Sequence, residues 1–122
     1  MCLTLRKNHN RPYNRGFIRW KLVRVGPKGG ITTPYQDTRL HAKKYNYAKK
    51  QFTWDFEGEK WSEDPRISGF HVFTSKRTAD EHRECWVHIR TAKVLVKGFK
   101  ASGTFDCLRS ETWSKLRIIK IY

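Results

Sequence analysis

Along the 122 residues only one stretch, 75–84, has the makings of a helix, and that scarcity constrains the fold more than any other feature. Thr78-x-x-Glu81 fits a capping box, with Ser75 as the competing N-cap. At about ten residues the helix is marginal in isolation and must be held by packing, through Ala79, His82 and Cys85. The other apolar positions fall in segments rich in β-branched and aromatic residues: 17–25 (FIRWKLVRV), 69–74 (GFHVFT), 86–97 and 116–122 (LRIIKIY). Parallel strands need crossovers of a dozen or more residues, usually helical, and one helix cannot supply them. The expectation is an α+β single domain over residues 17–122. It has a mainly antiparallel, twisted sheet of five or six strands, one principal helix near 75–85, and a basic arm or irregular segment over residues 1–16.

Finer patterning refines this. In 17–25, Ile18, Trp20 and Leu22 share one parity and Val23 and Val25 the other, which predicts a bulge or a strand covered on both faces. Phe52, Trp54 and Phe56 alternate with Thr53, Asp55 and Glu57, the pattern of a half-buried strand. Residues 31–35 read as a short strand stopped by Pro34, and the acidic 57–68 as a loop. Turns are expected at 26–30, Lys97-Gly98 and Ser102-Gly103. The expected core is Trp20, Leu22, Phe52, Trp54, Phe70, Val72, Val87, Ile89, Val94 and Ile118.

No apolar run approaches the length of a membrane span, and residues 1–10 lack the apolar region of a secretory signal. Three cysteines, Cys2, Cys85 and Cys107, do not make a disulfide framework, and an odd number fits a reducing compartment. The expected location is cytoplasmic, the host cytoplasm for a viral protein. Charge points to a partner. The chain carries a formal +15, and residues 1–50 hold 13 Lys or Arg against a single acid, Asp37. Solubility alone does not require cations to be gathered in one segment, so the asymmetry favours a polyanion.

The densest signal is 42–50, AKKYNYAKK, where Lys43, Lys44, Lys49 and Lys50 bracket Tyr45 and Tyr47. Lysines neutralise phosphates and release counterions, while an exposed tyrosine stacks on an unpaired base. Arg11 and Arg15 flank Tyr13 in the same manner, and Arg24 adds to the set. The bland reading is a solvated loop with its tyrosines packed inward. Without a helix-turn-helix, zinc-finger or basic-helix pattern, RNA is favoured over duplex DNA. An acidic protein surface is the alternative partner.

Met1-Cys2-Leu3-Thr4, Trp20-Lys21-Leu22-Val23, Thr33-Pro34-Tyr35-Gln36 and Gly69-Phe70-His71-Val72-Phe73 follow one another in order. The helix with Ala79, the strand Ala92-Lys93-Val94-Leu95-Val96, Ser110 and the closing Ile118 to Ile121 come after them. This succession resembles a loose group of small proteins of bacteria, prophages and phages, and covers most of the chain except residues 37–68. The resemblance implies a phage or mobile-element context and no particular chemistry; the basic 39–50 segment departs from the group.

Three catalytic or metal constellations compete with ordinary structural roles. Cys2, exposed by removal of Met1, would have an amine at hand as base, but the chain is short for such hydrolases. His82-x-x-Cys85-x-x-His88, with Cys107 or His71, has ligand-like spacing without paired knuckles. An ADP-ribosyltransferase-like site would need Arg19 or Arg24, His71 and Glu111 around one pocket. The expectation is a non-enzymatic RNA-binding protein without metal or cofactor, accessory or inhibitory, acting on a host nucleoprotein machine.

Overall fold

The computed structural model describes residues 4–5, 12, 14–34, 38–64, 67–83, 88–105 and 108–122. Its strands are β1 (Thr4–Leu5), β2 (Phe17–Val25), β3 (Ile31–Thr32), β4 (Arg39–Leu40), β5 (Asn46–Tyr47), β6 (Phe52–Asp55), β7 (Lys60–Glu63) and β8 (Phe70–Phe73). Helix α1 (Lys76–Arg83) follows, then β9 (Ile89–Phe105) and β10 (Leu108–Ile121). All pairings are antiparallel. Eight strands form one sheet, and β6 and β7 form a separate hairpin. This is a mainly-β fold with one short helix, and its strands outnumber the five or six expected. Among the described residues no helix is long and apolar enough to cross a membrane.

The sheet closes on itself. β9 bonds β2 along one edge (Phe17↔Val96 to Arg24↔Ile89) and β10 along the other. β10 continues onto β8, and β8 returns to β2 through one bridge, Trp20↔Phe73. Inside lie Val23, Val72, Val94, Val96, Leu116 and Trp113. The Trp113 ring sits between Phe17 and Phe99, at 5.4 and 5.3 Å. Leu22, Phe73, Ala79 and Ile89 form a second cluster outside, where α1 packs on the sheet. Hence β2 is covered on both faces over part of its length, as the mixed parity of its apolar residues predicts. Ser75 caps the helix, its Oγ accepting the Thr78 N–H at 3.2 Å. Thr91 Oγ1 donates to Asp80 Oδ1 at 2.5 Å and ties α1 to β9.

Several expectations need correction. The strand at Phe52 and Trp54 exists, yet these side chains are 52% and 41% exposed and belong to no core. The β6–β7 hairpin pairs with itself, Trp54 and Trp61 edge to face at 5.7 Å. The acidic 57–68 segment, expected as a loop, contains β7. Gly98 and Gly103 are not turns; both lie within β9. Gly98, at φ 72, adjoins a register shift that leaves Lys100 unmatched between Thr112↔Ala101 and Trp113↔Phe99, a bulge that bends the strand. Val87 and Cys85 lie outside the described residues.

Lys100 bonds Glu63 and anchors the hairpin to β9; this hydrogen bond, more than any other influence, holds the Glu63 carboxyl below its ordinary range. A depressed carboxylate contributes stability above its unfolded pKa and loses it as pH falls through the folded value. Acidification below about pH 4.3 should therefore release the hairpin, read as a change in the Trp54 and Trp61 fluorescence that Lys100→Met produces at neutral pH.

Inside the closed sheet, Arg19 Nε donates to Glu111 Oε1 at 2.5 Å, and Trp113 Nε1 donates to the same oxygen at 3.2 Å. Glu111 is fully buried. Removing one partner of such a pair leaves an uncompensated charge, so Arg19→Met should cost about 3–5 kcal/mol in urea denaturation. Arg19→Met with Glu111→Leu should recover much of that loss.

Candidate nucleic-acid interface

The basic segment after β4 is shaped by one buried amide. Asn46 Oδ1 accepts the His41 N–H at 2.7 Å, while Nδ2 donates to the carbonyls of His41 at 3.0 Å and Leu116 at 3.2 Å. That ring of bonds folds residues 41–46 into a tight loop and pins β5 to β10. Lys43 and Lys44 stand exposed on the loop, and Lys49 and Lys50 stand exposed after β5.

The pairings then place β5 beside cations that are remote in sequence. Lys97 on β9 is opposite Lys115 on β10, which is opposite Tyr47 on β5. In the adjacent row, Ile18 on β2 is opposite Leu95, and Leu95 is opposite Arg117. Lys97 Nζ and Arg117 Cζ lie 5.6 and 5.5 Å from the Tyr45 ring centre, and Lys115 Nζ lies 5.7 Å from that of Tyr47. Neither row contains an acid. Cations held over aromatic faces on a strand surface are oriented rather than freely swinging, each contact contributing about 0.5–1 kcal/mol when exposed.

Arg15 does not belong to this face. Gly16 adjoins Lys97, where a side chain would meet Cε at 3.4 Å. Arg15, of the opposite parity, lies 5.2 Å from the centre of the Phe17 ring, which packs on Trp113 in the interior. Arg24 does not belong either. It lines a broad cleft with Arg83, His88, Arg90 and Tyr122, beyond the part of β2 where Leu22 meets the helix. Arg11 lies outside the described residues. Lys97, Lys115 and Arg117 were absent from the sequence reading, although Lys115 and Arg117 alternate with Leu116 and Ile118 in the pattern of a half-buried strand.

The other candidates are dispersed. Thr112 is opposite His71 and Glu111 opposite Val72, so His71 and Glu111 face opposite sides of the sheet. Glu111 is bound to Arg19 in the interior. His82 packs against Phe73 at 5.5 Å between ring centres, and His88 turns into the Arg24 cleft. Among the described residues no three His, Cys, Asp or Glu side chains gather as metal ligands. Cys2, Cys85 and Cys107 lie outside those residues.

No protein-family model, curated protein or solved structure matches the chain.

Asn46→Ala strands buried polar groups of the backbone. It should cost about 1–3 kcal/mol in urea denaturation. Its effect should centre on β5, with faster hydrogen exchange at the Ala48 amide, whose acceptor is Ser114 O.

Proposed function

We propose that the chain is a non-enzymatic protein that binds single-stranded RNA across the outer face of β9, β10 and β5. The observation that carries this reading is the pair of tyrosines, Tyr45 and Tyr47, set among Lys97, Lys115 and Arg117, with Lys43, Lys44, Lys49 and Lys50 on the adjoining loops. Tyr47 is 68% exposed and offers a stacking face to an unpaired base. The cations around it suit the phosphates on either side. An unpaired strand fits such a face because its bases can turn toward the protein, whereas a duplex needs an element that enters a groove. In the phage context that the sequence resemblance implies, such a protein acts as an accessory or inhibitor at a host nucleoprotein machine.

The two kinds of contact separate by salt. For single strands each lost phosphate contact lowers the slope of log affinity against log salt by about 0.7. Lys97→Ala/Lys115→Ala/Arg117→Ala should thus lower it by about 2 while leaving the fold intact. Tyr47→Ala should weaken binding by about 1–3 kcal/mol with the slope unchanged. Fluorescence anisotropy with a labelled single-stranded RNA checks both. Unchanged affinity and slope in the triple variant would sink the assignment; binding of an acidic protein surface but not of RNA would replace RNA as the partner.

A further inference from the structure

Where β2 and β8 part after their single bridge, a pocket opens in the wall of the sheet. Gly69 stands at its edge with φ 94, where a Cβ would lie 2.8 Å from Trp113 O, so no other residue fits there without displacement. Phe70, Phe73 and Pro34 supply apolar walls, and Thr33 and Thr38 line another side. About 50 Å³ is open to the centres of water-sized groups, room for a few waters or one tetrahedral oxyanion.

Lys21 reaches into this space. It is 6% exposed, an unusual state for a lysine, and its Nζ donates to the carbonyl of His71 at 2.9 Å. That bond takes one of the three ammonium donors. The Phe70 ring centre lies 5.9 Å away. The other titratable groups facing the pocket are His71 from β8 and Lys49 from the segment after β5, and no described carboxylate lines it. Burial lowers the Lys21 pKa to about 8. Among the described residues no carboxylate offsets this buried cation, and an anion entering from solvent would do so.

We infer that this pocket is a phosphate site, in which Lys21 Nζ directly bonds a phosphate or phosphomonoester dianion and Lys49 supplies the second positive charge at its mouth. Two lysines match a dianion better than a monoanionic carboxylate, and the tetrahedral group fits the available space. The site shares only Lys49 with the RNA reading of the sheet face, and none of the cations stacked on Tyr45 or Tyr47 lines it.

Titration of the whole protein with inorganic phosphate, followed by NMR of the Lys21 ammonium and the His71 and Phe70 rings, tests the assignment. Saturable shifts at all three are expected, with acetate at least tenfold weaker. Lys21→Met keeps an unbranched chain in the buried position and should weaken phosphate binding at least tenfold. Lys49→Gln, an exposed change that leaves the fold alone, should weaken it about threefold. Binding requires the ammonium, so affinity should begin to fall as pH passes the free Lys21 pKa and decline about tenfold per pH unit above it. No shift with phosphate, equal affinity for acetate, or an unliganded Lys21 titrating at its ordinary value near 10.4 would overturn the inference. RNA oligomers with 5′-phosphate and 5′-hydroxyl ends distinguish the source. A preference for the phosphorylated end that Lys21→Met erases assigns a strand terminus, whereas equal affinities alongside retained phosphate binding assign a small phosphorylated ligand. Loss of oligomer binding in the sheet-face variants, with the phosphate titration intact, would separate failure of the RNA reading from failure of the pocket.

Discussion

Hydrogen bonding along both edges of β9 is the constraint on which the rest of the structure rests. From Ala92 to Val96 every residue has a partner on β2 and another on β10. Those strands are thereby drawn to either side of one curved backbone, and Val94 and Val96 are placed where Val23, Leu116 and Trp113 converge. The bulge at Lys100 bends the same strand so that its far half serves β1 and the start of β10. Closure by the Trp20↔Phe73 bridge follows from that curvature, and so does the gap beside it, because β2 and β8 meet at one point and then diverge.

The helix completes the arrangement by covering only part of the outer surface. It lies on Leu22, Phe73 and Ile89. The surface beyond it divides into the tyrosine-lined face at one end of β2 and the arginine cleft at the other. Two cationic regions thus share one strand without sharing a surface. Glu111, an acid buried in the closed interior, is bound to Arg19 and Trp113 and adds no negative charge to the outer face.

Sequence patterning conveyed some of this and not the rest, for identifiable reasons. The helix was legible, but its cap only as an alternative: Ser75 holds the N-terminus, and Thr78 of the expected Thr78-x-x-Glu81 box lies inside the helix. The double coverage of β2 was legible because its apolar residues occupy both parities. Exposure of Phe52 and Trp54 was not, since alternation reports that side chains point to opposite faces without saying what covers either. Residues 39–50 concealed two strands of two residues each, too short to show a period. Lys43, Lys44, Tyr45 and Tyr47 were legible as a basic, aromatic cluster. Lys97, Lys115 and Arg117 join them only through register, which couples residues about 70 positions apart. Lys21 was hidden for a related reason: in a strand covered on both faces, parity does not predict that a lysine is buried.

The pairing of β2 with β9 also sets an order of events during synthesis. Arg24 pairs with Ile89, and Phe17 waits for Val96. As the chain emerges N-terminus first, β2 must remain without its principal neighbour until the greater part of the protein has been made. The β6–β7 hairpin and α1, whose contacts are close in sequence, can form in the interval. Contacts so far apart are slow to establish because loop closure precedes any gain from them. Among the described residues, the first fifty, the most basic of the protein, therefore have only the short β2–β3 and β3–β4 pairings to form with one another until β9 is made, and the sheet closes around β2 last.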